Sequence, residues 1–129
     1  MFYYPQTYSF EKIIAWQKAH SFVLCVYKVT KLFPSEEKFG LTSQFRRAAV
    51  SIEADIAEEY KKLGRQDKLR FMNIAQGSSE ECRDYIILSR DLEYIYMEQY
   101  QQLHNKIEEA SKLLNAYCRG IANNHAMTD

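Results

Sequence analysis

Seven residues near the C-terminus constrain the fold more than any other feature of the chain. Tyr100, Leu103, Ile107, Ala110, Leu114, Tyr117 and Ile121 recur at alternating spacings of three and four, the pattern of a helix packed along its whole length in a bundle. Gln102, Asn105, Lys106, Glu108, Glu109 and Lys112 fall between them as a solvated face. A helix with such a seam needs neighbours, and the rest of the 129-residue chain must supply them. That length suits one domain with a core that needs no staples. Two prolines and four glycines are too few for a loop-rich or disordered protein. The expectation is a single all-α domain over residues 1–129, an up-and-down four-helix bundle with helices at about 10–33, 41–63, 65–92 and 97–123.

The first helix has Ser9 as its N-cap and Pro34 as its stop. Its apolar residues, including Phe22, Val29 and Phe33, cover roughly 200° of the wheel, where a surface helix needs only about 100°. The helix is therefore either central in the bundle or in contact with another subunit. The second helix carries the core stripe Leu41, Phe45, Ala49, Ile52, Ile56 and Leu63 and stops at Gly64, read as a C′ residue. Val50, Ala54 and Ala57 lie on nearly the opposite side, a small-residue face where another backbone can approach. The third helix holds Gly77 beside Ser78 and Ser79. A helical glycine costs about 1 kcal/mol relative to alanine, which suggests a close neighbour there. Nothing marks the turn before the fourth helix except pattern.

Seventeen basic and seventeen acidic residues cancel, so no overall field argues for nucleic acid and only local patches count. The longest apolar run, Phe22 to Tyr27, is too short to span a bilayer, and the N-terminus does not read as a targeting signal. The expectation is a cytoplasmic protein without a membrane partner. Cys25, Cys82 and Cys118 form no C-x-x-C and have no histidine at ligand spacing, so they read as reduced, packed thiols.

The stretch FRRAAVSIEADIAEEY, Phe45 to Tyr60, concentrates charge: Arg46 and Arg47 at its start, then Glu53, Asp55, Glu58 and Glu59. Di-iron bundles need inward Glu-x-x-His pairs, and this chain has none; His20, His104 and His125 are scattered. Surface pairing accounts for both Glu58, which faces Lys61 and Lys62, and Asp55, which shares a side with Lys62. Glu59 sits at the edge of the core stripe and should reach solvent or meet an arginine. No nucleophile motif or phosphate loop is present. The reading is no enzyme, no metal and no cofactor.

Basic residues remain. Lys61, Lys62, Arg65, Lys68 and Arg70 surround the turn between the second and third helices, opposed only by Asp67, and such a cluster can engage phosphates. Exposed tyrosines, among them Tyr3, Tyr4, Tyr94 and Tyr96, can stack on bases. The plain alternative is that these lysines solvate a turn and the tyrosines line packing faces. Arg46 and Arg47 point about 100° apart: Arg46, near Glu53, suits a subunit contact, and Arg47 suits outward contact with nucleic acid.

The segments FEKIIAWQKAH, VYKVTKLFPSEEKFGLTSQFRRAAVSI, ADIAEEY and FMNIAQGSSEE, in this order, resemble the four-helix-bundle proteins encoded in intervening sequences of bacterial 23S rRNA genes. The resemblance covers roughly residues 10–95. It implies a ring, typically a homopentamer, with no established catalysis. More remotely it extends to the accessory variability protein of diversity-generating retroelements, which implies RNA or a reverse transcriptase as partner. The matching positions are Arg46, Arg47, Ile56, Ala57, Glu58, Gly77, Ser78 and Glu81. The chain departs from the usual pattern at Glu53 and Asp55 (commonly Pro and Asn), Glu59 (Gly) and Glu93 (Gly).

The expected site residues are thus Arg47, Lys61, Lys62, Arg65, Lys68 and Arg70 for nucleic acid. Phe22, Val29, Phe33, Arg46, Val50, Ala54 and Ala57 are expected to form the subunit interface. The expected role is an oligomeric scaffold for RNA or a nucleic-acid enzyme, the alternative a protein-binding ring that touches no nucleic acid.

Overall fold

A computed structural model describes residues 8–125, with side chains placed through residue 123. Tyr3 and Tyr4 lie outside the described residues. Four helices follow a short 3₁₀ turn at Ser9–Lys12: α1 (Ile14–Thr30), α2 (Leu41–Tyr60), α3 (Arg65–Asp91) and α4 (Met97–His125). A second 3₁₀ turn, Ser35–Glu37, bridges α1 and α2. Each helix packs on its chain neighbours, and α4 closes the square against α1. The result is the up-and-down four-helix bundle that the periodicity predicts, and no strand occurs among the described residues.

The first helix starts later than its apolar pattern suggests. Ile13 adopts an extended conformation, φ −74° and ψ 119°, which breaks the helix and turns the Phe10 ring back onto Trp16 at 5.4 Å. Its core side is consumed within the chain: Phe22 is fully buried, and Val29 and Phe33 are buried too. Phe22 meets Phe45 of α2, and Phe33 meets Tyr94 in the α3–α4 turn. These three residues therefore belong to the core and not to a surface open to another subunit. What the wide arc leaves outside is Ile14, Leu24 and Tyr27.

The second helix ends at Tyr60, short of Leu63, which is 95% exposed and outside the core. The Lys68 ammonium donates to the carbonyls of Glu59 at 3.2 Å and Tyr60 at 3.5 Å, satisfying acceptors that a continuing helix would have used. Gly64 has a negative φ and serves as the N-cap of α3, its carbonyl accepting from the Lys68 N–H. It is not the left-handed C′ residue that its place in the sequence suggests.

The α3–α4 turn supplies the left-handed residue instead. Glu93 has φ 64°, the Tyr94 N–H reaches back to the Ser89 carbonyl and the Glu93 N–H to that of Arg90. This is a Schellman closure with a glutamate where glycine is easiest. In α4 the seam holds: Leu103, Ile107, Ala110, Leu114 and Ile121 are buried, with Tyr100 and Tyr117 packed against the core.

Candidate interaction surfaces

At one end of the bundle, around the α2–α3 turn, the predicted basic cluster divides. Lys68 is drawn inward: its ammonium lies 3.1 Å from an oxygen of Glu59, whose side chain is fully buried. The other Glu59 oxygen accepts from the Tyr117 hydroxyl at 2.8 Å. Burial and the Glu59 charge hold the Tyr117 phenol well above its ordinary range. Glu59 thus meets a lysine and a tyrosine inside the bundle, not solvent or an arginine, and Lys68 is occupied by structure. Lys62 and Arg70 both lie over the Phe71 ring, each 5.0 Å from its centroid. Arg70 also pairs with Asp67 at 3.4 Å, and Lys61 covers Tyr60. With Arg65 half-buried, four cations remain around this turn beside the exposed Leu63.

The other end carries a surface that sequence reasoning missed. Where α1 ends and α2 begins, an open cleft of about 480 Å³ is lined by Tyr27, Lys38, Phe39, Thr42, Ser43, Arg46, Arg47 and Val50. Arg46 and Arg47, 100° apart on the wheel, converge on it because their long side chains reach around the helix. The Arg46 Nε donates to the Thr30 hydroxyl at 2.8 Å, and the guanidinium lies 4.5 Å from the Tyr27 ring centroid. Thr30 in turn donates to the Val26 carbonyl. Arg46 therefore points toward the C-terminal turn of α1, where a cation is favoured, and not toward Glu53. Glu53 instead contacts His20 at 2.9 Å, whose ring stacks on Trp16 at 4.8 Å.

Among the described residues no carboxylate lines the cleft. Glu37, three residues before Gly40, is turned away: it accepts from the Leu41 N–H at 3.0 Å and the Tyr94 hydroxyl at 2.8 Å. These two bonds hold its carboxyl below the usual carboxylate range. Phe39 is 88% exposed at the rim. The signal in the sequence was an aromatic between Lys38 and Gly40, off every helical stripe.

Of the proposed small-residue face, Val50 and Ala54 are exposed. Ala57 is half-buried in a hollow shared with Phe10, Tyr60 and Lys61, so this chain's own first turn partly covers it. Gly77 has nothing within 4 Å of where a Cβ would stand; among the described residues none is the close neighbour expected there. Asp55 accepts from Ser51 rather than pairing with Lys62.

Among the described residues no group of histidines, cysteines and carboxylates is arranged to hold a metal, and no helix is long and apolar enough to cross a membrane. Burial pushes the Cys25 thiol up, and burial assisted by Glu59 pushes Cys118 up to about 11. Both therefore stay protonated and weakly nucleophilic at neutral pH.

The crystal structure, at 1.70 Å resolution, of a protein of unknown function from the S23 ribosomal protein family of Bacteroides thetaiotaomicron VPI-5482 superposes with a TM-score of 0.75. It is 29% identical, and the match covers 82% of this chain and 96% of that one. No curated protein matches the chain. The sequence profile of the 23S rRNA-intervening sequence proteins matches residues 11–116. With most of its length matched and a four-helix fold shared with an S23 relative, the chain belongs to the 23S rRNA-intervening sequence protein family.

Proposed function

We propose that this protein is a nonenzymatic scaffold that assembles into a ring, the homopentamer its family resemblance implies, and binds RNA in the cytoplasm, alone or together with a reverse transcriptase. The observation that carries the reading is the gathering of cations at both ends of the bundle. On a chain with no net charge, one end of the bundle gathers Lys61, Lys62, Arg65 and Arg70, and the other a cleft with Lys38, Arg46 and Arg47 and, among the described residues, no lining carboxylate. Cations gathered in this way attract phosphates even when the whole molecule is neutral. The exposed Leu24 of α1 and Val50 and Ala54 of α2 support the assembly, because exposed apolar groups gain by being covered.

The same exposed residues support the competing reading, a protein-binding ring without nucleic acid. Fluorescence anisotropy separates the two. Replacing Lys61, Lys62 and Arg70 together by glutamine should weaken RNA binding, with oligomer size unchanged. Unaltered RNA affinity in that variant would assign the basic turn to solvation alone.

A further inference from the structure

The α1–α2 cleft differs in chemistry from the basic turn. At the turn, Arg70 pairs with the carboxylate of Asp67. In the cleft, Arg46 is fixed by neutral partners, Thr30 and the Tyr27 ring, so its charge is oriented without being cancelled. The Lys38 ammonium lies over the Phe39 ring, 5.4 Å from its centroid. The Phe39 ring, 88% exposed, adds nothing to the core and forms a flat apolar platform among three cations. A ring in that setting suits an unpaired nucleobase, since every base has a stackable face and brings phosphates on both sides. Duplex RNA does not fit the same way: its base faces are covered by their neighbours, and it offers grooves and backbone. The cleft volume of about 480 Å³ is of the size that holds small organic ligands.

Resting on the RNA reading above, we propose that this cleft binds single-stranded RNA, one base stacking on Phe39 and the adjoining phosphates engaging Lys38 and Arg47. Arg46 forms a positive wall held in place before binding. The basic turn at the opposite end contacts backbone without regard to strandedness, so the cleft gives the protein its preference for unpaired segments.

The test is fluorescence anisotropy of the full chain with a labelled oligouridylate and with a blunt duplex of equal length. Phe39→Ala should weaken binding to the single strand by about tenfold, leaving its salt dependence and the duplex affinity unchanged. Phe39→Trp should restore affinity, with the added indole quenched by the single strand beyond any change in Trp16. Arg47→Gln should shallow the salt dependence by about 0.7. Ile74→Ala, which trims an exposed apolar side chain outside the cleft, should change nothing. If wild type binds the oligouridylate and Phe39→Ala binds it equally well, the cleft proposal fails while the RNA reading stands. Equal losses on single strand and duplex would also overturn it. A Phe39→Ala protein with altered oligomer size and unaltered RNA affinity would assign the cleft to a second copy. Wild type that binds neither RNA at low salt would overturn both the proposal and the reading beneath it.

Discussion

Lys68 and Glu59 form an ion pair at 3.1 Å in which the carboxylate is fully buried and the ammonium also caps the last carbonyls of α2. One side chain thus neutralises a core charge and ends a helix. Replacing Lys68 by Met should destabilise the bundle by about 3–5 kcal/mol, because a buried carboxylate would lose its cation. Adding Glu59→Gln should recover part of that loss. Urea unfolding measures both, and a Lys68→Met protein as stable as wild type would show that the pair contributes nothing. Tyr117→Phe should cost less, about 1.5–3 kcal/mol, since it removes one hydrogen bond to a charged group.

Asp55 gives a pH signature. Burial chiefly raises its carboxyl above the ordinary 3.8, with repulsion from Glu58 adding and the Ser51 hydroxyl opposing. A carboxyl raised on folding favours the folded state at acid pH, and that contribution is lost as pH climbs through the raised value. Asp55→Asn should therefore be more stable than wild type at pH 7, the gap closing toward pH 3. A gap that widens on acidification would show that Asp55 is held as a stabilised anion.

Two backbone positions are not at their best residue. Glu93 holds φ 64°, which a residue with a Cβ adopts at a cost, so Glu93→Gly should stabilise by about 0.5–1 kcal/mol after the glycine's extra unfolded-state entropy is counted. Gly77 has open space where a Cβ would go, so Gly77→Ala should add up to about 1 kcal/mol through helix propensity. Thermal unfolding checks both. A drop in melting temperature for Gly77→Ala would reveal a close neighbour supplied by another subunit.

The α4 seam was legible because one periodic stripe decides one buried face, and every seam position from Tyr100 to Ile121 packs into the core or against it. Helix ends were less legible because tertiary contacts set them. Leu63 continues the α2 stripe on a wheel, yet the helix stops at Tyr60, where an ammonium from nine residues beyond Glu59 takes its carbonyls. The first helix's excess apolar arc left a central position and a subunit contact both open, and Phe22, Val29 and Phe33, expected at the interface, are used by the bundle itself. The Arg46–Arg47 angle was correct for the backbone and misleading for the guanidinium groups, which line one cleft. Phe39 escaped notice because periodicity gives no signal for an aromatic residue in a turn.

Assembly predicts a different response from Ala54, an exposed residue on the outward side of α2. Within one subunit Ala54→Glu adds a solvated charge at little cost. Across an interface the same charge is buried without a partner, which is costly. Light scattering should find wild type oligomeric at micromolar concentration and Ala54→Glu dissociated, with circular dichroism unchanged. A monomeric wild type would remove the ring from the account.

RNA binding by the wild-type ring is the central claim, and the salt dependence of its affinity for a single-stranded oligoribonucleotide tests it most directly. Each phosphate contact should steepen the logarithmic slope by about 0.7. The account predicts tight binding at low salt that weakens steeply as salt is raised. Absence of binding at low salt, or an affinity indifferent to salt, would contradict it.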